Sequence, residues 1–170
     1  DAFTMELVGW IAAASALVSA GAALVDTDLK RIIAFSTISQ IGFIFLGLSQ
    51  GNEIGLAGGL LYILTHGLAK AGLFLGAGIV EQNTHTKDVT KLGGLYKTMP
   101  VTAVSFLLCS LSVMGIPPFG GFFGKYMVIA APFQAGRWPL ALTFIAGAFL
   151  TIMYLFRVFR LVFLGELSHP

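Results

Sequence analysis

The chain has 170 residues, 56% hydrophobic and only 11% charged, with a formal net charge of +2 and a mean hydropathy of +0.88. That much apolar surface exceeds the need of a soluble core and implies a lipid setting, while a near-neutral balance with cations scattered over short polar segments excludes a nucleic-acid-binding face. The single cysteine, Cys109, lies in an apolar run, which excludes an internal disulfide and a cysteine-based metal set; it reads as a small packing residue.

Runs long enough to cross a bilayer, roughly 20 apolar residues, fall in order at 5–25, 32–49, 56–80, 99–133 and 139–164. Short polar turns at 26–31, 50–53, 81–98 and 134–138 join them and leave no room for a soluble domain. The expectation is an all-α membrane protein, a single transmembrane domain over 1–170 with five transmembrane helices. The first run carries Glu6 near its start, at an interface. In the turn after it Asp26, Asp28, Lys30 and Arg31 read as a solvated charge cluster. The second run contains Ser36, Thr37, Ser39 and Gln40, with Ser36 and Gln40 one turn apart. Such side chains in lipid serve mostly as inter-helix hydrogen bonds, and these could also hold water beside a neighbouring charge.

The third run holds the costliest residue. Lys70 stands in its middle, where a lysine costs about 2.5–3.5 kcal/mol on insertion scales. His66 is four residues earlier and Tyr62 four before that, so the three share one helix face. A group that titrates near neutrality beside a buried lysine suits a proton hand-off; the plainer reading of His66 is a core histidine bonded to a neighbour. Gly55/Gly59 and Gly72/Gly76 have the small-xxx-small spacing of close helix approach, which packing alone explains.

The fourth run is interrupted. Gly115-Ile-Pro-Pro-Phe-Gly-Gly121 cannot continue a regular helix, because Pro117 and Pro118 lack donors and Gly115, Gly120 and Gly121 loosen the backbone. The piece beyond, 122–133, is about 18 Å long, short of a hydrocarbon core of roughly 30 Å. One broken crossing is therefore expected, with its freed backbone groups buried in protein or lining a wet cavity. With five crossings Lys30, Arg31, Lys87, Lys91, Lys97, Arg157 and Arg160 fall on one side and only Arg137 on the other. That side is cytoplasmic by the positive-inside rule, and Asp1 lies outside. Lys125, in the second half of the broken helix, is either a second intramembrane functional lysine or one that snorkels to an interface. His85 and His169 lie in polar turn and terminal sequence and receive no role.

Other chemistry is missing. Gly124-Lys125 resembles the end of a phosphate loop, but Phe119 and Tyr126 occupy positions that need glycine and a hydroxyl residue. There is no nucleophile elbow, paired carboxylate or bis-histidine arrangement for haem or iron–sulfur ligation. Phe119, Phe122 and Phe123 flank the break and leave no roomy solute site.

Four segments carry a resemblance: Asp28-Leu-Lys-Arg-Ile-Ile-Ala-Phe-Ser-Thr-Ile-Ser-Gln-Ile-Gly42, Thr65-His66-Gly67-Leu68-Ala69-Lys70-Ala71, Leu92-Gly93-Gly94-Leu95, and the broken-helix segment through Gly124-Lys125. Together they resemble the antiporter-like subunits shared by respiratory complex I, membrane-bound hydrogenases and Mrp-type Na+/H+ antiporters. The resemblance implies a larger bundle of two inverted five-helix repeats, of which this chain matches the second. It implies a proton relay of Lys70, His66 and Lys125, with Ser36, Ser39, Gln40, Tyr62 and Thr65 as supporting polar residues. It also implies a proton-translocating subunit of a redox-driven complex, either complex I or a related hydrogenase. An Mrp-type Na+/H+ antiporter subunit is the alternative, and a non-pumping membrane scaffold for redox subunits the second. No cofactor is expected in this chain; flavin and iron–sulfur or nickel–iron centres are expected in partner subunits. Further membrane subunits and the first-repeat half of the same chain are the expected partners. An opening at Asp1, without an initiator methionine or leader, fits a piece of a longer polytopic chain. The setting is a bacterial or archaeal cell membrane or an energy-transducing organelle membrane. Lysine at 125 argues against the branch with glutamate there, and Pro-Pro-Phe-Gly-Gly with Arg157 and Arg160 looks closer to hydrogenase and Mrp relatives.

Overall fold

The computed structural model describes residues 2–166; Asp1 and His169 lie outside them. Among the described residues six α-helices follow one another: α1 Ala2–Val25, α2 Leu29–Ser49, α3 Glu53–Thr84, α4 Pro100–Met114, α5 Gly120–Gln134 and α6 Trp138–Phe163. A single 3-10 turn, Val89–Lys91, interrupts the α3–α4 connection. Four helices, α1, α2, α3 and α6, are long and apolar enough to cross a membrane.

The helices start earlier than their apolar runs where a polar residue caps them. Asp28 accepts from the backbone N–H groups of Lys30 and Arg31 and starts α2 at Leu29; Asn52 accepts from Gly55 and starts α3 at Glu53. At its far end α3 runs through Glu81 to Thr84, and His85 closes it in the left-handed conformation with φ 54°. The interrupted run appears as α4 and α5, fifteen residues each. Each is about 22 Å long at 1.5 Å per residue. Gly115, at φ 81°, ends α4, and its N–H and that of Ile116 return to the last-turn carbonyls. The chain resumes as helix at Gly120, so the two glycines read as part of the break instead form the first turn of α5.

Backbone contacts define the two ends of the bundle. At one end the α1–α2 turn pairs with the α3–α4 connection through Leu29 N–H to Lys87 O and Val89 N–H to Thr27 O. Tyr96 N–H reaches Phe163 O, and Arg157 donates to Asp26 O at 3.0 Å. The charges of the first turn, read as a solvated cluster, form ion pairs there: Lys30 with Glu81, and Arg31 with Asp26 at 2.8 Å. At the other end Asn52 donates to Ala131 O and Arg137 to Ser49 O.

Packing follows membrane rules. Large side chains such as Phe3, Leu64, Leu68 and Phe149 face outward, while α1 buries Gly9, Ala12, Ala13, Ala16 and Ala20. Small residues let backbones approach: a Cβ on Gly42 would stand 2.7 Å from Ala12 O, and Cys109 packs against Gly72. The interior is layered. One apolar cluster holds Ala23, Ile33, Leu73, Phe106 and Val158; the other holds Ala12, Phe43, Leu46, Val128 and Phe144. Between them along the helices falls a band of buried polar residues: Ser36, Ser39 and Gln40 on α2, His66 on α3 and Thr151 on α6. Lys70 sits at the edge of that band.

Candidate functional site

The three residues spaced by four on α3 all turn inward. Tyr62 is fully buried, and His66 and Lys70 are 6% and 5% exposed. Ser36, on the facing side of α2, accepts from the Lys70 ammonium at 2.6 Å, and the carbonyl of Ile33 accepts a second bond at 3.1 Å. Ser36 thus meets Lys70 directly. Neither acceptor is a carboxylate, and no ion pair to Lys70 occurs among the described residues.

Lys125 is 4% exposed and does not reach an interface. The snorkelling reading fails for a geometric reason: α5 turns the side chain back toward α4. Its ammonium donates to Val113 O at 2.8 Å and lies over the Phe43 ring at 4.7 Å and the Tyr62 ring at 5.9 Å. Val113 is in the last turn of α4, where carbonyls have no intrahelical donor, so the helix end supplies the lysine's acceptor. Three glycines make the approach possible. A Cβ on Gly121 would collide with Ser112 O, one on Gly124 would stand 2.9 Å from Tyr62 Cβ, and one on Gly115 3.0 Å from Lys125 Cδ. Lys125 also lines an open, mostly apolar groove of about 500 Å³ with Phe122, Tyr126, Ile129 and Ile152.

His66 lies one turn from Lys70 on the inward face of α3. Neither ring nitrogen has a hydrogen-bond partner, and the ring tilts against Tyr62 at 5.7 Å. The core-histidine reading required a bonded neighbour, which the described residues do not supply. Among the supporting residues, Gln40 joins the site: its amide oxygen accepts from Tyr62 at 2.6 Å. Ser39 does not, since it points to α1 and donates to Ala16 O; Thr65 donates back to Leu61 O on its own helix. Sequence reading missed Thr151 and Tyr154 on α6. Gln40 donates to both, and Tyr154 donates to Ser36 at 2.8 Å. Their i, i+3 spacing inside an apolar run was the available signal.

Comparison with known proteins shows the family of the chain. The family described as NADH:quinone oxidoreductase/Mrp antiporter, transmembrane, matches residues 1–151. The chain belongs to that family. It is 38% identical over 98% of its length to an NADH-quinone oxidoreductase subunit of Desulforudis audaxviator, covering 33% of that protein. It is 36% identical over 98% to a Na(+)/H(+) antiporter subunit of Alkalihalophilus pseudofirmus, covering 34% of it. Among solved structures, a chain of the Mrp complex from Dietzia superposes with a TM-score of 0.93 at 33% identity, over 98% of this chain and 31% of that one. One of respiratory complex I from Thermus thermophilus gives 0.92 at 30% identity, over 97% and 35%. The chain spans about a third of the length of these relatives. As a member of a transmembrane family, with several helices long enough to cross, it is an integral membrane protein.

Proposed function

We propose that the chain is one inverted-repeat half of a proton-translocating, antiporter-like subunit of a redox-driven complex of the complex I type. In it Lys70 and Lys125 load and release protons, with His66 between them. The observation that carries this reading is a pair of lysines buried in a membrane bundle without a carboxylate partner among the described residues. An uncompensated ammonium in such a place is expensive, and intramembrane ionisable groups of this kind mark ion and proton paths. Removing the proton relieves the cost, and a charge arriving nearby restores it, so each lysine responds to events in adjoining parts of the complex. His66, with both nitrogens unengaged, can accept a proton at one and release it from the other.

The fourth crossing in this reading is a single discontinuous helix. In support, α4 starts at the Tyr96–Phe163 end and α5 finishes at the Asn52–Ala131 end, so the pair together traverses the bundle once. Five crossings over one transmembrane domain then gather Lys30, Arg31, Lys87, Lys91, Lys97, Arg157 and Arg160 on the cytoplasmic side. The remainder of the subunit and other membrane subunits complete the path, and partner subunits hold the flavin and iron–sulfur or nickel–iron centres that supply energy.

A second reading, an Mrp-type Na+/H+ antiporter subunit, has support in the similarity to the Alkalihalophilus antiporter protein and to the Mrp complex. The scaffold reading requires Lys70 to be fixed by a carboxylate, whereas its acceptors here are a hydroxyl and a carbonyl. The test uses the full-length subunit in its native complex, reconstituted in vesicles. Lys70→Ala and Lys125→Ala are each expected to abolish proton translocation while the subunit still assembles. Undiminished translocation overturns the proposal, and transport that requires sodium but no electron donor selects the antiporter reading.

A further inference from the structure

Behind Lys70 lies a connected set of buried polar side chains. Ser36 Oγ receives two donors, the Lys70 ammonium at 2.6 Å and the Tyr154 hydroxyl at 2.8 Å. The Tyr154 oxygen in turn accepts from Gln40 Nε2 at 3.3 Å. That amide is fixed on both sides: Nε2 also donates to Thr151 at 3.0 Å, and Oε1 accepts from Tyr62 at 2.6 Å. Thr151 spends its own proton on Gly147 O. Ser36, Gln40, Tyr62, Thr151 and Tyr154 are all fully buried.

The donor directions leave little freedom. With Thr151's proton committed to a carbonyl, its oxygen faces Gln40, which sets the amide's orientation. With the amide set, the Tyr154 oxygen is occupied as an acceptor, so its single proton points to Ser36. The hydroxyls and amide are thus aligned head to tail, Tyr62 to Gln40 to Tyr154 to Ser36, and such alignment strengthens each bond. Ser36 consequently meets the charged Lys70 as an acceptor. When Lys70 has given up its proton, the Ser36 hydroxyl can rotate and donate to the amine, while Tyr154 keeps donating to Ser36. One fixed partner therefore serves both protonation states.

We propose that Tyr154 of α6 is a positioning residue for Lys70, acting through Ser36 and held in place by Gln40. It rests on the proton-translocating reading of Lys70. Tyr154 touches neither lysine through any bond described; its effect is to aim the oxygen that does. Without its hydroxyl, the Ser36 rotor loses the donor that fixes it, so its lone pair is no longer held toward the Lys70 ammonium in the membrane interior.

The experiment uses the full-length subunit in its native complex in sealed vesicles, with proton translocation measured alongside subunit content and thermal stability. Tyr154→Phe keeps the ring and its packing and removes only the oxygen. It is expected to lower translocation about tenfold, the scale of one hydrogen bond to a charged group, with subunit content unchanged. Ser36→Ala should produce the same loss, Ser36→Thr should retain translocation, and Ser36→Ala combined with Tyr154→Phe should be no worse than either alone. Full translocation by Tyr154→Phe overturns the inference. So do losses that multiply in the double variant, or a Ser36→Thr variant as damaged as Ser36→Ala. Lys70→Ala separates the two levels: if it translocates normally, the relay reading and this inference both fall. If it is inactive while Tyr154→Phe is not, this inference alone falls.

Discussion

Lys70 and Lys125 are buried to nearly the same degree, at 5% and 4% exposed, yet they are held by different chemistry. Lys70 projects from the middle of an unbroken 32-residue helix into a polar net, with a hydroxyl and a carbonyl on α2 as acceptors. Lys125 projects from the second turn of α5 into aromatic surroundings and has one described acceptor, a carbonyl freed by the end of α4. The first site is made by side chains and the second by a backbone interruption. The first therefore depends on residue identity at several positions, and the second on glycines that let two helix ends meet.

That contrast is sharpest at Gly121, where a Cβ would collide with Ser112 O. Gly121→Ala should separate α4 from α5 and cost about 3 kcal/mol, the upper range for overpacking. The expected readout is a lower melting temperature and reduced subunit content, and an unperturbed variant would show that the break tolerates a side chain. Replacing each lysine by methionine comes next. Lys125→Met puts an apolar chain among Phe43, Tyr62 and Phe122 and should leave stability unchanged or raised, as happens when buried charges give way to apolar groups. Lys70→Met sets a thioether against Ser36 and Ile33 O. It should be the less stable of the two by about 1–2 kcal/mol in thermal unfolding. Equal stabilities would erase the distinction.

Tyr62 belongs to both sites, its hydroxyl to the net and its ring to Lys125. Tyr62→Phe keeps the ring and leaves the Gln40 amide oxygen unpaired, at a cost of about 1–2 kcal/mol. Translocation should suffer through Lys70 and not Lys125. The check is combination with Tyr154→Phe: no further loss places the hydroxyl in the same net.

The smallest effect lies at the rim, outside both sites. A hydrogen bond from Thr90, with help from Lys91, holds the Asp88 carboxyl below its ordinary value. A lowered carboxylate contributes stability above the unfolded value, and that contribution is lost as pH falls through the folded one. Thr90→Val should therefore speed amide exchange in the 85–91 turn at neutral pH, with the difference from the unmodified protein vanishing in acid.

How much of this the sequence carries depends on how far apart the interacting residues stand. The spacing of Tyr62, His66 and Lys70 is local to one helix, and the prolines and glycines after Val113 are local to one break, so both were readable. The four long apolar helices were readable from apolar length alone. Tyr154 was not, because its partners Ser36 and Gln40 are more than a hundred residues away and only the packing of α6 against α2 joins them. Ser39 failed in the opposite sense: it is as polar as Ser36, but three residues further on it faces α1 and satisfies Ala16 O. The partner of Lys30 was not readable, because pairing it with Glu81 needs the α1–α2 turn to dock on the end of α3. Sequence placed the chemistry on helices; the side of each helix came from tertiary contact.

The central claim is that both buried lysines change protonation during turnover. Infrared difference spectroscopy of the full complex, with isotope-labelled lysine, compares resting and energised states directly. The account predicts ammonium bands that shift with the label and of which Lys70→Met and Lys125→Met each remove a part. Bands that do not respond to the label, or that survive both substitutions, would contradict it.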